Sequence, residues 1–170
     1  MKVYMTSISG FTMRFAERND VPLIFGFIKA LAKYEKMLDR VIATEEKLAK
    51  TLFDEKQAEV IIAEEQGNPV GFALFYNTYS TFQGKANLFL EDLFIYPEFR
   101  GKGYGKMLLS FLAQVATERN YSRIDWWCLN WNLSSIGFYE KMGAVQQKEW
   151  SVFRLQDEKI LELAILMKAK

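Results

Sequence analysis

From Leu23 onward, apolar side chains recur at helical spacing, with Leu23, Ile24, Phe27, Ile28, Leu31 and Tyr34 on one stripe. This predicts an amphipathic helix with one face on a core. Asp20 is placed to cap it, and Pro22 falls in its first turn, where a missing N–H is harmless. A short strand is expected before it at residues 11–15, and a second helix from Thr44 to about Phe53. The period then changes. Residues 60–63 and 70–76 are apolar, β-rich runs on either side of Gln66-Gly67-Asn68, which predicts an antiparallel hairpin. Further on, residues 88–95 predict a strand, and residues 106–118 a long helix with Met107, Leu108, Phe111, Leu112 and Val115 on one face. Residues 123–129 follow as a strand, 133–142 as a helix stopped by Gly143, and 145–155 as closing strand material. The order β-α-α-β-β-β-α-β-α-β predicts an α/β fold with a mixed central sheet and helices on both faces.

Composition narrows the function classes. Half of the 170 residues are hydrophobic and 15% are aromatic, which suits one well-packed domain rather than a disordered chain. The net charge of +1 gives no general attraction to nucleic acid or to a membrane surface. With one cysteine, Cys128, and no histidine, an internal disulfide, a multi-thiolate metal site and a Ser-His-Asp triad are all excluded. Cys128 lies in an apolar run and reads as a structural thiol. Neither an eighteen-residue apolar run nor a signal-peptide core is present, so the expected location is cytoplasmic.

The stretch that carries chemistry is Leu90-Glu91-Asp92-Leu93-Phe94-Ile95-Tyr96-Pro97-Glu98-Phe99-Arg100-Gly101-Lys102-Gly103-Tyr104-Gly105-Lys106. A strand with two carboxylates runs into a glycine-rich basic turn that opens a helix. Backbone N–H groups there can converge on a phosphate, helped by the positive end of the helix and by Arg100, Lys102 and Lys106. A Walker A loop is ruled out because Met107 follows Gly105-Lys106, and a dinucleotide fingerprint because Lys106 stands where its third glycine belongs.

Arg100-x-x-Gly103-x-Gly105 resembles the pyrophosphate loop of the GNAT N-acetyltransferases, and residues 132–144, Asn-Leu-Ser-Ser-Ile-Gly-Phe-Tyr-Glu-Lys-Met-Gly-Ala, resemble the second GNAT signature. Residues 31–37, 71–79 and 90–92 are similar to the diamine branch, which acts on spermidine, spermine or thialysine. The resemblance implies a single GNAT domain over residues 11–170, acetyl coenzyme A as cosubstrate, no metal, a small-molecule amine partner and a homodimer. It offers no role for residues 1–10. In such proteins the coenzyme's pantetheine arm pairs with a strand edge, here the backbone of Leu93, Phe94 and Ile95. The implied pyrophosphate loop is Arg100, Gly101, Lys102, Gly103, Tyr104, Gly105 and Lys106. Asn132 and Ser135 are similar to positions lining the coenzyme, although Asn132 reads equally well as a helix cap.

Acetyl transfer needs a neutral amine, whereas a free alkyl ammonium has a pKa near 10.4. The resemblance makes Glu91 the proton acceptor, through a water. Strand alternation puts Asp92 on the opposite face, where it pairs with substrate cation or with core. Tyr139 is the expected acid for the departing thiolate. Glu35 is expected to hold a distal ammonium, and Trp126, Trp127, Trp131 and Trp150 are candidates for the wall of an alkyl-amine channel, with most of the four expected in the core and Trp126 and Trp150 as the exceptions. Ser80 replaces an acidic residue typical of the diamine enzymes, which suggests a preference for shorter amines. Two alternatives remain open: acetylation of protein lysines or another amine, and a coenzyme A-binding module without catalysis.

Overall fold

The computed structural model describes residues 2–168, which form two compact units, Met1–Leu129 and Asn130–Lys170. The first unit holds strands β1 (Val3–Met5), β2 (Phe11–Phe15), β3 (Glu59–Glu65), β4 (Asn68–Ser80), β5 (Lys85–Ile95) and β6 (Ile124–Trp126), hydrogen-bonded in that order in one sheet. Neighbours are antiparallel as far as β5, and β6 joins β5 in parallel, giving the mixed sheet expected. Helices α1 (Val21–Tyr34), α2 (Glu45–Leu48) and α3 (Tyr104–Glu118) belong to the same unit.

Two sets of buried side chains define the layers. Leu108, Phe111, Leu112 and Val115 of α3 meet Ile61, Ala73, Leu88 and Leu90 on one sheet face. Ile24 and Phe27 of α1 meet Val60, Ile62, Phe72 and Phe94 on the other. Because β3 is buried from both sides, it reads as an unbroken apolar run instead of an alternating one.

Local chemistry explains most element ends. The β3–β4 turn places Gln66 at φ 52° and Gly67 at φ 78°, as a tight hairpin turn with two left-handed residues requires. Thr44 caps α2 by accepting from the Lys47 N–H at 3.2 Å, but beyond Leu48 the chain widens into a π-turn, Ala49–Asp54, instead of continuing as α-helix. Asp20 precedes α1 without capping it. Its carboxylate turns back to the Glu17 N–H at 2.7 Å and to the buried Arg14 guanidinium, which also reaches Glu64 at 2.8 Å.

Several expectations need correction. Residues 3–5 form an edge strand paired with β2, through Tyr4 opposite Met13; three residues are too few to show alternation. Conversely, β6 is limited to three residues. Residues 145–155 form no strand, and among the described residues the regular elements of the second unit are helices, α4 (Leu133–Lys141) and α5 (Glu158–Ile165), apart from a short 3-10 turn. A strand without a partner inside its own unit has nothing to satisfy its backbone. The end of α4 does follow expectation: Gly143 at φ 88° lets the Ala144 N–H reach the Tyr139 carbonyl at 3.1 Å. Among the described residues, no helix is long and apolar enough to cross a membrane.

Candidate active site

The acidic pair sits on a β-bulge. Leu74 pairs with Asp92 and Phe75 with Leu90, so Glu91 is an extra residue in β5. The bulge flips the side-chain parity. Before it, Leu88 and Leu90 face the α3 core; after it, Leu93 and Ile95 do, while Phe94 faces the α1 side. Asp92 therefore shares the α1 face with Glu91 instead of lying opposite it, because strict alternation holds only in a strand without an inserted residue.

That face gathers a third carboxyl. Met37 N–H reaches the Ala32 carbonyl at 2.8 Å across Lys36, which takes φ 60°, and this turn ends α1 at Glu35. A carboxylate there meets the negative end of the helix dipole, so its position gains nothing for helix stability. Burial raises the Glu35 carboxyl above the usual range. Asp92 is pushed up to about 7 by burial first, then by the charges of Glu91 and Glu35. No cation is among the groups that shift it. Cys128, half-buried, is raised by burial and by Glu35, and thus stays a thiol. Among the described residues, no group of three His, Cys, Asp or Glu side chains is placed to hold a metal ion.

An aromatic row lies beside it. Tyr76 of β4 is diagonal to Glu91, hydrogen-bonds with its side chain and is raised by burial and by that charge. Its ring is 5.2 Å from Phe89, which in turn meets the exposed Trp127 edge-on at 5.3 Å. Tyr76 was missed in the sequence; its diagonal relation to Glu91 appears only once register and bulge are known. Trp126 does not join this row. It pairs with Leu90 and packs against the α3-side core, so the parity of β6 removes it from the acidic face. Trp127, Trp131 and Trp150 are all more than half exposed, contrary to the expectation that most tryptophans are core. Ser80 accepts from the Gln83 N–H in the β4–β5 turn opposite Lys85. Glu91 lies six positions beyond Lys85, about 20 Å along a strand, so within one chain Ser80 does not face the acidic cluster.

The same strand leads to the glycine-rich loop. Among the described residues, β6 pairs with β5 only at residues 88–90, and no strand pairs with that β5 edge over residues 91–95. Phe94 and Ile95 bury their side chains, which leaves the backbone as what this edge offers. Beyond a 3-10 turn, Pro97–Phe99, Gly101 at φ 79° and Gly103 at φ 87° shape the loop. The first intrahelical bond of α3 runs from the Met107 N–H to the Gly103 carbonyl at 3.1 Å. The N–H groups of Tyr104, Gly105 and Lys106 thus emerge from a helix N-terminus. The side chains divide differently from expectation. Tyr104 is core, stacked on Phe11 at 4.0 Å, with its phenol bonded to Glu65; burial and that carboxylate push it up to about 12. Lys102 pairs with Glu65 at 2.7 Å, while Lys106 is exposed. The Arg100 guanidinium folds back over Tyr34. An added Cβ on Gly103 would lie 3.3 Å from the Ile8 side chain, at a φ that L-residues adopt at a cost of about 1–2 kcal/mol. Gly103→Ala is therefore expected to weaken coenzyme A binding about tenfold in calorimetry while the protein stays folded. Unchanged affinity would remove the loop from this role.

In the second unit, Asn132 caps α4: its side-chain oxygen accepts from the Ser135 N–H at 3.3 Å. The cap reading is thus observed. Tyr139 lies in the last turn of α4, half-buried, its ring 5.2 Å from Phe138. Trp150 lies outside any helix or strand.

Comparisons with known proteins match this arrangement. The Acetyltransferase (GNAT) family profile covers residues 25–144. A thialysine N-epsilon-acetyltransferase from Bos taurus is 36% identical over 164 residues, covering 89% of this chain and 96% of that protein. A human spermidine/spermine N(1)-acetyltransferase-like protein 1 is 35% identical over 94% of this chain, although that spans 24% of the longer relative. Among solved structures, an integron cassette protein from the mobile metagenome of V. cholerae superposes with a TM-score of 0.76 at 27% identity, covering 91% of this chain and 98% of that one.

Proposed function

The chain belongs to the GNAT family of N-acetyltransferases, which use acetyl coenzyme A, and we propose that it acetylates a primary amine of a small diamine, polyamine or lysine-like substrate. The observation that carries this reading is the bulge that gathers Glu91 and Asp92 on the face carrying Glu35. An ammonium entering it restores charge balance, and a second ammonium on a short alkyl chain has a second carboxylate to meet. Trp127 and Phe89 offer an apolar and cation–π wall for that chain. The names of the relatives point to the same class of acceptor.

In this reading the N–H groups of the loop at residues 100–106 hold the pyrophosphate, and the β5 edge at Leu93, Phe94 and Ile95, which pairs with no other strand on that side among the described residues, aligns the pantetheine arm. Asn132 and Ser135 are coenzyme contacts in this proposal on the family resemblance alone. Acetyl coenzyme A supplies the activated acetyl group. Glu91 accepts the ammonium proton through a water, with Tyr76 fixing its carboxylate, while Asp92 and Glu35 hold positive charge. Tyr139 returns a proton to sulfur. A homodimer and a cytoplasmic setting belong to the same proposal and rest on the family resemblance and the single cysteine.

The deciding experiment is thiol release from acetyl coenzyme A against a panel of putrescine, cadaverine, spermidine, spermine, lysine, thialysine, ornithine and a lysine-containing peptide. Turnover with the small amines and none with the peptide is expected. Coenzyme A binding without turnover on any amine would favour a non-catalytic module.

A further inference from the structure

The GNAT-type loop motif begins at Arg100, yet this arginine's charged group lies elsewhere. Its guanidinium carbon is 4.5 Å from the centre of the Tyr34 ring and 5.6 Å from that of Phe94, and its Nε donates to the Ile95 carbonyl at 2.9 Å. None of those three partners belongs to the loop at residues 101–106, and two of them, Tyr34 and Phe94, border the acidic face. Tyr34 is the last residue of α1 and immediately precedes Glu35, Phe94 lies on the face that Asp92 shares, and Ile95 ends β5. Arginine suits this task because its planar group can lie flat on an aromatic ring while its Nε–H still points at a carbonyl; a lysine ammonium has the charge without that geometry.

We propose that Arg100 is a positioning residue for the amine-binding carboxylates: it ties the end of α1, and with it Glu35, to the root of the coenzyme loop, and its side chain does not hold the coenzyme's phosphates. The inference rests on the reading of the acidic face as the amine site. Anion binding is then left to the loop's backbone N–H groups and Lys106.

The test uses Arg100→Gln, Arg100→Lys and Tyr34→Leu, with two binding measurements by calorimetry, coenzyme A and putrescine, alongside steady-state kinetics. Arg100→Gln is expected to leave the coenzyme A Kd within about threefold of wild type and to raise the putrescine Kd and KM about fivefold. Arg100→Lys should show the same defect, since retained charge does not restore the stacked, bonded geometry. Tyr34→Leu should reproduce it, and the double variant should be no worse than either single one. A coenzyme A Kd raised tenfold or more with putrescine binding unchanged would overturn the proposal in favour of direct phosphate contact, as would full rescue by lysine. Circular dichroism separates both outcomes from misfolding. Failure of the parent reading looks different, as wild type would then bind no putrescine and acetylate none.

Discussion

Tyr139→Phe is expected to leave acetyl coenzyme A affinity nearly unchanged and to lower turnover about 10²-fold, the scale of a lost general acid. The departing thiolate needs a proton, and a thiol near 8.5 lies below a phenol near 10, so unassisted transfer is uphill by about 2 kcal/mol. That is small beside the barrier it relieves, provided that the phenol is held in place. α4 supplies the holding: it starts at the Asn132 cap, is closed by the left-handed Gly143, whose turn brings the Ala144 N–H onto the Tyr139 carbonyl, and keeps Tyr139 half-buried in its last turn. Phenylalanine keeps ring and packing and deletes only the hydroxyl. Single-turnover and steady-state rates on the best amine, with coenzyme A binding measured in parallel, check the expectation. Unchanged turnover would remove Tyr139 from the role, and an equal loss of coenzyme affinity would recast it as a binding residue.

The elements legible in the sequence were those whose signal is local. The stripe of α1, the Gln66-Gly67 turn, the Asn132 cap and the glycines at 101 and 103 each carry their own physics within a few residues. Three features of the site were not local. The bulge at Glu91 exists only relative to β4, so counting along β5 alone sends Asp92 to the wrong face. Trp126 and Trp127 are neighbours in sequence, and which one faces the amine side depends on how β6 pairs with Leu90. The basic residues of the loop looked alike, but Lys102 is committed to Glu65 and Arg100 to Tyr34, partners 37 residues away in one case and on another helix in the other. The expected strand at residues 145–155 failed for a related reason: apolar, β-prone composition states a preference, and only a partner strand realises it.

Asp92→Asn should stabilise the substrate-free protein at alkaline pH and damage it as an enzyme. The Asp92 carboxyl is about 7 in the folded protein against an ordinary value of 3.8, because burial and the charges of Glu91 and Glu35 oppose its ionisation. Between those values the folded state keeps a proton that the unfolded chain has released. Stability therefore falls as pH rises from about 4 to above 7, and below about 4 the difference vanishes. The full protonation difference is worth about 4 kcal/mol at most. Glu91 and Glu35 remain to be satisfied in the variant, so a net gain of about 2 kcal/mol at pH 8 is expected, or about 4–8 °C in Tm for a chain of this size. Thermal unfolding at pH 5, 6, 7 and 8 should show a falling wild-type Tm and a flatter one for Asp92→Asn. The same group makes amine binding proton-linked: a dication that pairs with Asp92 drives off its proton, so putrescine binding near pH 7 should release protons in wild type and release fewer in the variant. Calorimetry in two buffers of different ionisation enthalpy reads this directly. With its charge partner gone, kcat/KM for diamines should fall about 10- to 100-fold, as expected when a charged hydrogen bond is lost at a binding site. A wild-type Tm that stays level from pH 5 to 8, together with no gain in the variant, would mean that Asp92 already has a cation of its own, and the acidic face would then be a structural feature rather than a seat for the substrate.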